Sequence, residues 1–335
     1  MLQLYPMLFL PNLHSAIWGG RKLTTWKGMV IDDAPIGESW EVSALPSGMS
    51  IVANGSFAGR SLSDVVNEFP QEILGEHVAK QYDKQLPLLV KFIDAEKDLS
   101  IQVHPDDAMA LREHGKMGKT EMWYVIDAKP GSYLYAGFKE EITPCEYKRR
   151  VENGSITEVL ARHEVKAGDV FYLPAGRVHA ICGGILLAEI QQSCDITYRI
   201  FDYNRLDING TPRELHTELA AKALNFSVEK EYCTKYTLSK NDVCQIANTP
   251  YFAVNLMEFD KPMHRDLCEL DSFIIYMCVE GNCSLHVRET GEKIQLPTGY
   301  SCLIPAVIAN CDIIPNVSGT CRILEAFIGR KTNRE

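Results

Sequence analysis

Gly168-Asp169-Val170-Phe171-Tyr172-Leu173-Pro174-Ala175-Gly176-Arg177-Val178-His179 reads as strand, tight turn, strand, with an imidazole at the start of the second strand. The frame returns 131 positions later in Gly299-Tyr300-Ser301-Cys302-Leu303-Ile304-Pro305-Ala306-Val307-Ile308-Ala309-Asn310. Both copies read Gly-x5-Pro-Ala, and both follow a run of strands. The second has Val307 in place of Gly176 and Asn310 in place of His179. The echo predicts two related β-domains, with the polar group kept only in the first. From about residue 232 the texture is all strand: 251–257, 272–279, 283–288, 293–297, 301–304 and 320–328, separated by turns such as Glu280-Gly281-Asn282 and Thr290-Gly291-Glu292. Short strands at regular spacing predict an antiparallel sandwich or barrel.

The first domain carries more polar groups. Ser100-Ile101-Gln102-Val103-His104-Pro105-Asp106-Asp107 puts an amide and an imidazole two apart on a strand, so both face one side. Pro105 cannot donate to a ladder and ends the strand. A short helix with Pro105 in its first turn is expected to His114. Glu121 opens the strand 121–127, and His179 opens its own. Gln102, His104, Glu121 and His179 are borderline-to-hard donors without a thiolate. They suit Zn²⁺, with Mn²⁺, Co²⁺ or Fe²⁺ as other candidates, and favour an open catalytic site over a closed structural one. Lys91 lies inside the apolar strand 86–94, where it either enters a polar pocket or snorkels out at an edge. Before that strand, residues 1–60 read as short extended pieces in which Trp18 and Trp40 pack the core. Residues 61–85 read as helical, interrupted at Pro70. Residues 143–162 read as helix and loop, and 214–224 as a helix.

Composition bounds the function. The chain has 335 residues, 46% hydrophobic and 23% charged, with a net charge of −10. That is ordinary globular composition for one large or two modest domains, and an acidic surface disfavours nucleic acid as the main partner. The amino terminus lacks the signature of a secretory signal, and no run approaches the ~18 apolar residues of a membrane span. A soluble, cytoplasmic protein is expected. The 11 Cys include no C-x-x-C pair, and many lie in apolar runs, among them Cys182, Cys278, Cys302, Cys311 and Cys321. They read as buried reduced thiols, with a spacing unlike that of a thiolate zinc site.

Gly168-x5-Pro174-x-Gly176-x2-His179 is similar to the second cupin motif. With Ser100-Ile101-Gln102-Val103-His104-Pro105-Asp106, Lys119-Thr120-Glu121 and Glu189-Ile190-Gln191-Gln192-Ser193-Cys194-Asp195-x3-Arg199, the chain resembles the type I mannose-6-phosphate isomerases. Trp18-Gly19-Gly20 and Gly37-Glu38-Ser39-Trp40 fit too. The resemblance covers about residues 1–210 by motif and the rest by architecture. It implies a mainly β fold of two cupin (double-stranded β-helix or jelly-roll) domains with a few short helices. Residues 1–230 would hold the metal, and residues 231–335 would form a degenerate cupin without ligands. It implies one Zn²⁺ per chain on Gln102, His104, Glu121 and His179. It further implies Arg199 as the active-site arginine, Lys91, Ser100, Lys119 and Glu189 around the substrate, Asp195 near the site and Glu38 as a weaker match. Only 57 residues lie between Glu121 and His179, so the long helical insert of some members is absent and the compact bacterial form is the one resembled.

The activity implied is interconversion of mannose 6-phosphate and fructose 6-phosphate through a cis-enediol(ate), on a small sugar phosphate, with neither nucleic acid nor membrane as partner and a monomer left open. The alternatives are another metal-dependent cupin enzyme and a non-enzymatic sugar-binding cupin. Gln102, where most cupins have a His, weighs against an oxygenase. The general base is open among Glu189, Asp195, Lys119 and a metal-bound water.

Overall fold

The computed structural model describes residues 3–30, 34–207, 210–316 and 319–330. In chain order its first twelve strands are β1 (Met7–Leu8), β2 (Leu13–Gly20), β3 (Ile36–Val42), β4 (Leu88–Ala95), β5 (Ile101–Val103), β6 (Glu121–Ala128), β7 (Tyr133–Phe138), β8 (Leu160–Glu164), β9 (Val170–Leu173), β10 (His179–Ile181), β11 (Ile185–Gln192) and β12 (Tyr198–Phe201). All but β1 build a six-stranded sheet in the order β2-β3-β4-β11-β6-β9 and a five-stranded sheet in the order β12-β5-β10-β7-β8. Apolar side chains of both sheets meet between them: Ile93, Trp123 and Leu187 from one, Leu134, Ala136 and Ile181 from the other. Burying these alternate positions is the main favourable term of the barrel. Polar residues on the same inward faces are therefore forced to find each other.

The opening motif is a sheet crossing rather than a hairpin. β9 pairs with β6 in the larger sheet, whereas β10 pairs with β5 and β7 in the smaller. The turn between them rests on Gly176. Its φ is +86°, its N–H donates to the carbonyl of His104 at 2.9 Å, and an added Cβ would lie 2.9 Å from the Ala223 carbonyl. Backbone sterics and crowding thus both select glycine there.

The remaining strands are β13 (Asp242–Asn248), β14 (Ala253–Phe259), β15 (Met263–Asp266), β16 (Ile274–Glu280), β17 (Cys283–Val287), β18 (Lys293–Leu296), β19 (Ser301–Ile304), β20 (Asn310–Pro315) and β21 (Cys321–Phe327). They form a six-stranded sheet, β1-β19-β16-β21-β14-β13, and a four-stranded sheet, β15-β20-β17-β18. The order β4-β11-β6-β9 recurs as β14-β21-β16-β19, so the sequence echo marks a repeated topology. β1 sits at the edge of the second barrel, which ties the amino terminus to the carboxy-terminal half.

Helices fill the connections. The expected helical stretch 61–85 is three short helices, Leu62–Glu68, Pro70–Leu74 and Glu76–Gln81. Ser61 caps the first by accepting from Asp64 N–H, and Pro70 starts the second rather than breaking one long helix. The helix after the Gln–His strand spans Asp107–His114. Pro105 lies outside it, because Asp106 takes the cap position and accepts from Met109 N–H at 2.8 Å. The stretch read as helix and loop contains Pro144–Glu152 and also the edge strand β8. That strand's outward Arg162 and Glu164 obscure its alternation. The expected helix 214–224 is Thr217–Ala223. All eleven cysteines are free, and no helix among the described residues is long and apolar enough to cross a membrane.

Gly59 has the same φ, +86°, but no atom within 4 Å of an added Cβ. Gly59→Ala should therefore cost only the left-handed strain, about 1–2 kcal/mol. Gly176→Ala should cost about 1–3 kcal/mol more from overpacking. Urea denaturation of the two variants checks this, and equal losses would contradict it.

Candidate metal centre

Register places the polar residues in two facing rows. His179 of β10 pairs with Gln102 of β5, and Gln102 pairs on its other side with Arg199 of β12. Directly opposed residues share a face, so His179, Gln102 and Arg199 form a row across the smaller sheet. On the larger sheet Trp40, Lys91, Glu189 and Trp123 are successive partners across β3, β4, β11 and β6. Glu121 starts β6 two residues before Trp123, on the same face, and is fully buried.

Four side chains meet at one point. His104 Nε2 and His179 Nε2 are 3.2 Å apart. Glu121 Oε2 is 3.4 Å from His104 Nε2, and Glu121 Oε1 is 3.2 Å from His179 Nε2. The Gln102 amide end is 3.3 Å from His179 Nε2, and a half-turn of that amide exchanges its nitrogen for its oxygen. Both imidazoles are oriented from behind. His104 Nδ1–H donates to the Ile196 carbonyl at 2.9 Å, and His179 Nδ1–H donates to the Arg177 carbonyl at 2.8 Å. These bonds fix the tautomer, and each Nε2 presents a lone pair to the other.

Two facing lone pairs and a buried carboxylate repel unless a cation lies among them. Neither oxygen of Glu121 accepts a well-directed hydrogen bond. Tetrahedral zinc with ligand bonds of ~2.0–2.1 Å separates its donors by roughly 3.3–3.4 Å, close to the spacings above. The donor set fits a divalent ion. One cation is already at the edge: Lys119 Nζ is 2.9 Å from Glu121 Oε2 and 3.0 Å from His104 Nε2.

The electrostatics follow from this packing. Burial opposes ionisation of Glu121, yet Lys119 and the two imidazoles hold its carboxyl well below the usual range. Burial, reinforced by Lys119, pushes His104 down to about 3, and burial lowers His179 as well. Neutral imidazole is the metal-binding form. In the second row, burial disfavours charge on Lys91, but the carboxylates of Glu38 at 3.2 Å and Glu189 at 3.3 Å outweigh it and raise its pKa. Burial, and then Glu121, raise Glu189.

The structure brings Gln102, His104, Glu121, His179 and Lys119 together. Lys91 lies in a pocket rather than at an edge, and Glu38, the weaker match, is its direct partner. Ser100 is buried two residues before Gln102. Arg199 shares the row but stands two strands, roughly 10 Å, from His179. Its Nη1 donates to the Glu214 carbonyl at 2.8 Å, and its buried Nε has no partner. Asp195 is engaged elsewhere, accepting from Ser47 at 2.9 Å and Lys116 at 2.6 Å.

Sequence reasoning missed two contributors. Trp123 Nε1–H donates to Glu189 at 2.9 Å, and its ring meets His179 edge-on at 5.3 Å. Trp40, read as core, stacks on His14 at 4.6 Å and carries the Lys91 ammonium 4.8 Å from its ring. Position two along the strand from Glu121 was the available signal for Trp123. The carbonyls that orient the imidazoles have no signature in side-chain identity.

The chain purified with divalent metal present should hold about one equivalent, and His104→Ala or His179→Ala should lose most of it while staying folded. Elemental analysis alongside circular dichroism reads this. Retention of a full equivalent would remove that histidine from the site.

Comparison with known proteins identifies the family. The family model described as phosphomannose isomerase type I, catalytic domain, matches residues 7–142, and that for the mannose-6-phosphate isomerase cupin domain matches residues 242–328. A putative mannose-6-phosphate isomerase of Bacillus subtilis is 34% identical over 326 residues, covering 96% of this chain and 99% of that protein. A second mannose-6-phosphate isomerase of Bacillus subtilis is 40% identical over 307 residues, covering 88% and 93% of the two. The crystal structure of the mannose 6-phosphate isomerase from Bacillus subtilis aligns with a TM-score of 0.87 at 32% identity, over 96% of this chain and 99% of that one. The match in sequence, length and fold makes this chain a member of the type I mannose-6-phosphate isomerase family, and an enzyme.

Proposed function

We propose that the chain is a zinc-dependent aldose–ketose isomerase that interconverts mannose 6-phosphate and fructose 6-phosphate through a cis-enediol(ate). The observation that carries this reading is the convergence of two Nε2 lone pairs and the Glu121 carboxylate within 3.4 Å of each other. His104, His179, Glu121 and Gln102 would hold one ion. Imidazole, carboxylate and amide oxygen suit Zn²⁺ among the common divalent metals. An ion held there would supply Lewis-acid polarisation of substrate oxygens, a contribution of several kcal/mol.

The rest of the chemistry falls to the chain's own side chains. Moving a proton between C1 and C2 builds negative charge on the substrate oxygens, which fixed cations stabilise. Lys119 beside the ligands and Lys91 in the second row are such cations, and Ser100 and Glu189 complete the contacts to substrate hydroxyls. Arg199 is always charged and lies in the His179–Gln102 row, placed for the phosphate or for an oxyanion at the far end of the substrate. Holding the phosphate away from the reacting carbons orients C1–C2. Of the bases left open by the sequence, Asp195 is occupied at the surface. Glu189 is buried with its pKa raised by burial and by Glu121, which makes its carboxylate a stronger proton acceptor than an exposed one.

We assign the metal-bearing unit to residues 1–230 and the second barrel to residues 231–335, with no ligand where Asn310 replaces His179. The free thiols and a phosphorylated substrate fit a cytoplasmic setting, and one chain supplies every group invoked.

A coupled assay for fructose 6-phosphate formed from mannose 6-phosphate tests the reading. Chelation should abolish turnover and Zn²⁺ should restore it; undiminished turnover by metal-free chain would exclude the metal role. Arg199→Ala should lower kcat/KM by about 10²–10³-fold, the size expected for losing one charge-stabilising donor, with metal content unchanged. A change under twofold would remove Arg199 from the mechanism.

A further inference from the structure

Three thiols, two on either side of one strand connection and the third 38 residues further on, meet in the second barrel. Cys278 lies near the end of β16, Cys283 opens β17 and Cys321 opens β21. Their sulfurs all lie within 4.8 Å of one another, and all three residues are buried. The backbone is shaped to allow this. The ladder between β16 and β21 shifts register between Cys278 and Glu280, which re-aims the strand end as bulges do. Cys278 and Cys283 then lie on either side of the Gly281-Asn282 connection between β16 and β17. An added Cβ on Gly281, whose φ is +73°, would lie 2.8 Å from the Thr320 carbonyl and 3.1 Å from Cys321 Cα. Glycine there lets the Cys321 strand close on the turn.

Buried cysteines commonly act as small hydrophobes, and Cys302 and Cys311 of the same barrel fit that role. The triad differs because three soft donors converge on one point. An ion with metal–sulfur bonds of ~2.3 Å in planar three-coordination separates its sulfurs by roughly 4 Å, inside the observed limit. No His or carboxylate among the described residues joins this group, so the tetrahedral closure that structural zinc favours is missing. Soft thiolates without a hard partner select thiophilic ions such as Cu(I). The route in is short, since Glu280 and Asn282 at the tip of the turn are exposed.

We propose that Cys278, Cys283 and Cys321 form a three-coordinate site for a soft, thiophilic metal ion, separate from the His104–Glu121–His179 centre. Cys278 and Cys321 belong to the six-stranded sheet and Cys283 to the four-stranded one. An occupied site would staple the two layers of the second barrel together. Binding to the folded chain alone stabilises it by mass action.

The test supplies Cu(I) without oxygen to the reduced, Zn²⁺-loaded chain. Copper-edge X-ray absorption should show three sulfur neighbours and no nitrogen at one equivalent, and the thermal midpoint should rise. Cys283→Ser and Cys321→Ser should abolish both effects and keep isomerase turnover. Substituting the exposed Cys145 and Cys268 by serine should change neither. A nitrogen-containing or two-sulfur shell in the unsubstituted chain would overturn the site even if the serine variants fail to fold. Copper binding that survives Cys283→Ser, or that is lost with Cys145 and Cys268, would overturn it too.

Discussion

Two imidazole nitrogens face each other across 3.2 Å with their lone pairs fixed by carbonyls behind them. The arrangement is unfavourable in itself, and the packed apolar residues around the site sustain it. Trp123, Val103 and Val178 are almost fully buried near these residues, and the Gly176 turn carries one imidazole from the larger sheet to the smaller. In such an interior, Coulomb interactions are several times stronger than in water. Lone pairs and carboxylate therefore demand a cation, and the same low polarity strengthens any field exerted on a substrate.

The two barrels show how one topology yields different interiors. In the first, Glu189 stands between Lys91 and Trp123, and the Trp123 ring meets His179. In the second, Glu325 stands between Asn255 and Tyr276 in the equivalent strands. There the carboxylate is closed off. Arg265 donates twice at 2.9 Å, the Tyr276 hydroxyl donates at 2.9 Å and Asn255 Nδ2 donates at 2.6 Å. A satisfied buried network rigidifies; an unsatisfied one invites a ligand. Asn310, at the position of His179, donates to Glu289 at the rim.

The site was legible in the sequence where strand alternation sets direction. Gln102 and His104 two apart, Glu121 at a strand start and His179 after Pro-x-Gly were enough to identify the four convergent groups. The repeat was legible because a positive-φ glycine and a proline recur at fixed spacing. What stayed hidden depends on register across strands distant in sequence. Nothing local says that Trp40 meets Lys91, that Lys91 meets Glu189, or that Arg199 stands two strands from His179. Nor does the spacing of Cys278, Cys283 and Cys321 reveal that a bulge and a glycine bring them together. The helix after the Gln–His strand begins two residues later than its proline suggested, because Asp106 takes the cap position.

Whether a metal ion or the Lys119 ammonium neutralises the facing imidazoles is the question on which the account turns. Anomalous diffraction at the zinc edge, from crystals grown with Zn²⁺ and fructose 6-phosphate, answers it directly. One strong peak is expected, bounded by His104 Nε2, His179 Nε2, a Glu121 oxygen and the Gln102 amide oxygen, with Lys119 turned toward the substrate. Absence of a peak there, with Lys119 Nζ still lodged between Glu121 and His104, would contradict it.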